Sequence, residues 1–118
     1  MAVLYVFLGG GLGAVLRYGV ATALPRAGAA AFPWATLAVN LVGSLLIGAL
    51  AGLLAGKDAA RAFGIVGVLG GFTTFSAFSL DALDLLQSGR TGAAAAYVLA
   101  SVLGGLALAW LGWTLGNR

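Results

Sequence analysis

Uncharged, mostly apolar residues run along the chain in four long stretches that are separated by short polar connections. No Asp, Glu, Lys or Arg occurs in residues 2–16, 27–56, 62–80 or 91–117. Because a helix needs about 20 apolar residues to cross a bilayer, the pattern predicts four transmembrane helices, at about residues 2–24, 33–55, 61–87 and 91–115. The connections are too short to fold separately, so we expect a single membrane domain over residues 1–118.

The composition supports a membrane location. Hydrophobic residues make up 62% of the 118 positions and charged residues 8%, which is too little polar surface for a water-soluble domain. The six basic residues are scattered singly, so no nucleic-acid partner is expected. The chain has no Cys, no His and three acids, and neither a metal-binding cluster nor a catalytic serine with its base is expected. We therefore expect a multi-pass plasma-membrane protein (the inner membrane in a bacterium) that is not an enzyme.

Basic residues are almost equally divided between the two sides of the predicted bundle. Lys57, Arg61 and Arg118 lie on the side of the termini. Arg26 and Arg90 lie on the other side, and Arg17, near the membrane end of the first helix, can be counted as a third there. An excess of Lys and Arg on one side normally fixes the orientation of a membrane protein, so this balance permits both orientations. A chain of 118 residues is also small for enclosing a polar path alone. Both features favour an antiparallel, dual-topology homodimer.

Many of the 20 glycines lie inside the predicted spans at spacings of four residues. These sets are Gly9 with Gly13, Gly48 with Gly52 and Gly56, and Gly67 with Gly71. Small residues at this spacing allow helices to pack closely in a membrane. We expect most of them to be contacts between helices without a chemical role.

The third span contains an unusually polar segment, GGFTTFSAFSLD, at residues 70–81. Gly70 and Gly71 are closely followed by Thr73 and Thr74, a combination that weakens a helix. We therefore predict that the third helix is broken at mid-membrane. Carbonyl groups before such a break favour a cation, and amide groups after it favour an anion. The alternative is a kinked helix whose backbone is satisfied by the threonine hydroxyls.

Aromatic and hydroxyl side chains follow the predicted break. Phe75, Phe78 and Ser79 lie on one face of the second half-helix. The edges of phenylalanine rings carry partial positive charge, so the two rings, flanked by Ser76 and Ser79, suit a narrow path for a small anion. Aromatic residues at helical spacing more often only pack together, and this alternative stays open.

The second and fourth spans contribute further neutral donors. Asn40 brings an NH₂ group into the second span, where it suits an anion but could also only bridge helices. Tyr97 and Ser101 are spaced by four in the fourth span, and Gly105 follows on the same stripe. These positions predict a short polar track.

Three motifs together resemble the Fluc (CrcB) family of fluoride channels: GGGLGAVLRYG at residues 9–19, TLAVNLVGSLLIG at 36–48 and GGFTTFSAFSLD at 70–81. The resemblance extends over nearly the whole chain. It implies a dual-topology homodimer with two antiparallel fluoride pores and a central structural sodium ion. It also implies passive export of fluoride from the cytoplasm, which relieves fluoride toxicity.

The resemblance also implies roles for individual residues. Sodium would be held by the backbone carbonyls of Gly70 and Thr73. The implied pore residues are Asn40, Phe75, Phe78, Tyr97 and Ser101, and we expect Ser79, which flanks the two rings, to line the pore with them. Arg17 and Asp81 match a basic and an acidic position of the family, with vestibule or structural roles. Two positions depart from the family pattern, since Ala77 stands where threonine is often found and Gly105 where a further serine is common, so the polar lining is thinner or is completed by water.

Two other classes of membrane protein share part of this pattern. Small multidrug transporters are also four-span, dual-topology dimers. Their proton-coupled antiport is built on a membrane-embedded glutamate, and this chain has no Glu. A noncatalytic accessory subunit could be equally rich in glycine, but it has little need for Asn40 and a broken helix at membrane depth. The expected partners are therefore fluoride, a second copy of the chain and lipid.

Overall fold

The protein is a bundle of membrane-length helices. A computed structural model describes residues 1–118 and contains α1 (Ala2–Ala23), α2 (Trp34–Leu53), a third span Asp58–Gln87 and a last helix Thr91–Gly116. All four spans are long and apolar enough to cross a membrane. Their ends lie within a few residues of the predicted ends, so the prediction of an all-α, four-span membrane protein is confirmed.

The third span is interrupted. Its first part, α3, consists of an α-helical turn Asp58–Arg61, a π-helical segment Ala62–Leu69 and a final turn Gly70–Phe72. Thr73 is extended, with φ −85° and ψ 160°. The second part, α4, covers Ser76–Gln87. The last helix, Thr91–Gly116, is called α5. An interruption is therefore present in the segment where a break was predicted.

The two glycines before the interruption remain helical. Gly70 has φ −62° and ψ −38°, so the backbone leaves the helix only after Phe72. Gly71 allows α1 and α3 to approach each other closely, because a Cβ atom there would collide with the backbone carbonyl of Gly10 on α1. The π-helical segment before it was not predicted, and its wider turns lie directly beside α1.

Glycines set the distances between the packed helices. A Cβ atom at Gly9 or Gly13 would collide with backbone carbonyls of α3, and one at Gly48 would collide with the carbonyl of Ala109 on α5. The expected role of these residues in helix packing is confirmed. Gly56 differs, because it has φ +77° in the turn after α2 and nothing approaches it. Its role is to allow that left-handed turn, so the packing role expected for Gly56 is wrong.

Most apolar side chains point outward. Only 13 of 118 residues are buried in the protomer, and large apolar residues such as Val3, Phe7 and Leu106 are exposed. Such a surface needs lipid or another protein chain to cover it. The buried apolar cluster contains Leu37, Leu85, Ala94 and Tyr97. We conclude that the chain is a multi-pass membrane protein.

Candidate functional site

The interruption of the third span is held by Asn40 on α2. The side-chain Nδ2 of Asn40 donates to the carbonyl of Thr74 at 3.0 Å, and the N–H of Thr74 donates to Asn40 Oδ1 at 2.8 Å. A side-chain amide that pairs with a peptide group in this way satisfies both polar groups of one residue. Asn40 therefore bridges two helices, one of the two roles considered from the sequence, and keeps further donor capacity on its NH₂ group.

Two backbone carbonyls at the interruption lose their helical donors. In a continuous helix the N–H of Thr74 would donate to the carbonyl of Gly70, but it donates to Asn40 instead. The N–H of Ala77 would donate to the carbonyl of Thr73, but it donates to Thr74 Oγ1 at 3.1 Å. None of the backbone hydrogen bonds in the turns, loops and helix caps of the chain ends on either carbonyl. Both oxygens therefore remain available as ligands.

Arg17 on α1 satisfies a third carbonyl of the interruption. Its Nε donates to the carbonyl of Gly71 at 3.2 Å, which in a continuous helix would accept from the N–H of Phe75. Both salt bridges of the chain belong to Arg26. The guanidinium of Arg17 therefore has no carboxylate within ion-pair distance. Arg17 thus brings an uncompensated positive charge to the interruption.

A groove with a volume of about 490 Å³ opens beside the interruption. It is lined by neutral polar and apolar residues and by no charged side chain; its polar and aromatic members are Asn40, Ser44, Thr73, Thr74, Phe75, Phe78 and Ser101. Ser101 Oγ is buried and has no hydrogen-bond partner. A buried hydroxyl without a partner costs about 1–3 kcal/mol, so its position in the groove indicates a ligand or water there.

The two phenylalanines predicted to line a path differ in their surroundings. Their ring centroids lie 5.7 Å apart. Phe75 is 79% exposed in the protomer. Phe78 is half-buried and packs on Tyr97, with 5.1 Å between the ring centroids. Phe78 is therefore fixed within the protomer, whereas Phe75 projects from it.

Tyr97 is fully buried behind the groove. Its ring lies between Phe78 and Phe32, and its hydroxyl donates to Asp81 Oδ2 at 3.3 Å. The other oxygen of Asp81 accepts from Arg26 Nη1 at 3.1 Å. Asp81 and Tyr97 thus support Phe78 from the side away from the groove.

Arg26 was not among the residues singled out from the sequence. Its Nη1 contacts Asp81 at 3.1 Å and Asp84 at 3.3 Å, and its other nitrogens donate to the carbonyls of Ala29 and Ala31. Asp81 and Asp84 lie three residues apart and therefore on one face of α4. Two acids on one face of a helix are the feature of the sequence from which a basic partner could have been predicted.

The structure thus brings together most of the predicted site. Asn40, Phe75, Phe78 and Ser101 line one groove, and Gly70 and Thr73 line it as well. Tyr97 and Ser79 are not among the lining residues; Ser79 Oγ donates to the carbonyl of Phe75 at 2.9 Å and is exposed. No cluster of three or more His, Cys, Asp or Glu side chains is present, and the oxygen atoms at the groove belong to the backbone and to neutral Asn, Ser and Thr side chains.

Similarity to known proteins extends over nearly the whole chain. The family described as CrcB-like protein, Camphor Resistance (CrcB), matches residues 4–113. A protein named fluoride-specific ion channel FluC from Thermus thermophilus is 51% identical over 119 residues, which cover 97% of this chain and 94% of that protein. Proteins of the same name from Novosphingobium aromaticivorans and Rhodospirillum centenum are 50% and 54% identical, over 97% and 86% of this chain and 94% and 83% of theirs.

Proposed function

Because this chain belongs to the CrcB family, a family of channels and not of enzymes, we propose that it conducts fluoride passively out of the cytoplasm and so lowers fluoride toxicity. The observation that carries the proposal is the groove beside the interruption, which Asn40 and Ser101 share with Phe75 and Phe78. The name shared by the similar proteins supports fluoride as the ion. Small multidrug transporters and accessory subunits have no comparable support.

The chemistry of the groove suits a small, strongly hydrated anion. Such an ion passes only if directed donors replace its water, and it leaves again only if no single site binds it too strongly. The groove offers the amide of Asn40 and the hydroxyl of Ser101, and no Lys or Arg lines it. Neutral donors therefore bind fluoride in series without trapping it.

The two phenylalanines extend this series. The positive edge of an aromatic ring attracts an anion weakly, and the rings of Phe75 and Phe78 are 5.7 Å apart at the groove. Phe78 is held in place by Tyr97. We assign the pore to Asn40, Phe75, Phe78 and Ser101, with Tyr97 and Ser79 as adjoining hydroxyl residues. Arg17 and Asp81 then serve to position the interruption and Tyr97.

The carbonyls of Gly70 and Thr73 fit a structural sodium ion. Both are oxygen ligands whose helical donors are diverted to side chains, and hard cations prefer oxygen ligands. Gly70 is exposed on the protomer, so a second copy can approach it. We propose that two copies hold sodium between these carbonyls. When bound, the ion supplies a positive charge that stabilises nearby anions.

An antiparallel homodimer completes the proposed pore. The groove is open on one side and Phe75 projects from the protomer, so a second copy is needed to enclose the path. Basic residues are balanced between the two sides, with Lys57, Arg61 and Arg118 on one and Arg26 and Arg90 on the other, which permits both orientations. Because a two-fold dimer repeats each groove, it contains two paths.

Fluoride efflux from liposomes that contain only the purified protein tests this function. We expect rapid efflux of fluoride and none of chloride under the same gradient. Liposomes with the Asn40→Asp variant are the control, because the added negative charge opposes an anion in the groove. Equal permeation of both anions, or fluoride efflux no faster than from empty liposomes, would overturn the proposal.

A further inference from the structure

The hydroxyl track of α5 stops at a glycine that faces a serine of another helix. Gly105 follows Tyr97 and Ser101 at a spacing of four but carries no side chain. A Cβ atom at position 105 would lie 3.3 Å from Ser44 Oγ on α2. The Ser44 hydroxyl thus occupies the space into which a side chain at position 105 would project.

The packing of α2 against α5 allows the Ser44 hydroxyl to occupy the space beside Gly105. The two helices run in the same direction across the membrane, because a single crossing, the third span, lies between them along the chain. They are also in close contact, since a Cβ atom at Gly112 would collide with the carbonyl of Leu45. Asn40 and Ser44, four residues apart, lie one above the other on the same face of α2. Ser44 therefore continues the line of donors that begins with Asn40.

Ser44 also shares the groove with the residues of the proposed pore. Asn40, Ser44 and Ser101 all line it, and Ser44 lies one helical turn from Asn40 toward the side of the termini. We propose that Ser44 is a further fluoride-binding residue and supplies from α2 the hydroxyl that Gly105 lacks on α5. This inference rests on the proposed function, since it assigns a ligand within the same path.

The present hydrogen bond of Ser44 is compatible with this role. Its Oγ donates to the carbonyl of Asn40 at 2.7 Å. A serine hydroxyl rotates to suit its partner, so it can turn from the carbonyl to a passing anion and back. Because one hydrogen bond replaces another, the net gain is small. Ser44 would thus bind fluoride weakly, as conduction requires.

The simpler interpretation is that Ser44 only satisfies its own helix. Thr114 provides the comparison, because its Oγ1 donates to the carbonyl of Leu111 at 2.8 Å but does not line the groove. If the hydroxyl of Ser44 matters only for helix stability, removing either hydroxyl has the same effect. If it binds fluoride, only Ser44 affects conduction.

A transfer of the hydroxyl between the two helices tests the proposal. Ser44→Ala should lower the fluoride flux per folded dimer in liposomes by about fivefold, the factor that corresponds to one typical net hydrogen bond. Thr114→Val should leave the flux unchanged. Ser44→Ala combined with Gly105→Ser should restore most of it, because the shortened side chain at position 44 leaves room for the new hydroxyl. Should this double variant not assemble, Ser44→Thr, which keeps the hydroxyl, should retain flux.

The outcomes separate this inference from the proposed function. Wild-type flux in Ser44→Ala, while Asn40→Asp still abolishes conduction, would overturn the role of Ser44 and leave the channel assignment intact. A loss of flux that neither hydroxyl-bearing variant recovers would also overturn it, because the serine would then be needed only for structure. If the wild-type protein itself conducts no fluoride, the proposed function fails first.

Discussion

The side-chain amide of Asn40 is paired with the backbone of Thr74 through two hydrogen bonds, of 3.0 Å and 2.8 Å. This pair links α2 to the interruption of the third span and withdraws the Thr74 N–H from the carbonyl of Gly70. One side chain therefore takes part in both proposed ion sites, because it lines the anion groove and leaves a carbonyl free for a cation.

Replacing Asn40 with aspartate should abolish fluoride conduction and destabilise the protein. Aspartate still accepts from the Thr74 N–H, but it places an oxygen where Nδ2 now donates to the Thr74 carbonyl. The lost bond and the new repulsion should cost about 2 kcal/mol of unfolding free energy. Fluoride efflux and thermal unfolding of the purified variant measure both effects. Normal efflux from a correctly assembled variant would show that the pore lies elsewhere.

Phe75→Ile and Phe78→Ile should both reduce flux but differ in stability. Isoleucine keeps the apolar bulk and removes the positive ring edge. Phe78 also packs on Tyr97 at 5.1 Å, so Phe78→Ile should cost about 1 kcal/mol more than replacement of the exposed Phe75. Flux assays and thermal unfolding in detergent, side by side, check this split. Full flux in both variants would contradict a pore role for the rings.

Thr74→Val should weaken the proposed sodium site without changing any of its ligands. Valine lacks the Oγ1 that now accepts from the Ala77 N–H at 3.1 Å, so this N–H becomes free to bond the carbonyl of Thr73. We expect flux in this variant to need about tenfold more sodium, consistent with competition by one hydrogen bond. Replacing sodium with a large organic cation in graded steps measures this dependence.

Thr74→Ser is the matched control, because it keeps the hydroxyl and should behave like the wild type. A sodium dependence that is the same in the valine variant and the wild type would argue against Thr73 as a ligand.

Single cysteines at positions 57 and 90 should each be labelled from both sides of the membrane. Lys57 and Arg90 are exposed and lie at opposite ends of the bundle, and the chain contains no other cysteine. In a dual-topology protein, half of the copies present each position to each side. An impermeant thiol reagent, applied before and after permeabilisation, provides the measurement. Labelling of each position from one side only would exclude an antiparallel dimer.

The spans and the location of the interruption could be predicted from the sequence for physical reasons. Charged residues are costly inside a bilayer, so uncharged runs mark the helices. The hydroxyl pair Thr73 and Thr74 marks the interruption, and Thr74 Oγ1 does accept a backbone N–H there. The cause of the interruption was predicted wrongly. Gly70 and Gly71 stay helical, and the Thr74 N–H leaves the helical hydrogen-bond pattern because Asn40 accepts from it.

Other features depend on contacts between distant residues and leave no local pattern. The residues of the π-helical segment Ala62–Leu69 would suit an α-helix equally well. Arg26 meets Asp81 and Asp84 only because the loop after α1 folds back toward α4. Tyr97 has the spacing of a pore residue, yet the ring of Phe78 covers it. Helical spacing defines a face but not which neighbour that face meets.

The central claim is that fluoride crosses by electrodiffusion, and it is tested most directly by the dependence of efflux on a charge shunt. The chain has no Glu and no His, and its membrane-proximal acids Asp81 and Asp84 pair with Arg26 away from the groove, so no group there couples protons to transport. In liposomes loaded with potassium fluoride, we expect fluoride efflux to begin when valinomycin lets potassium follow, and to persist without a pH gradient. Uphill movement of fluoride driven by a proton gradient would contradict the account.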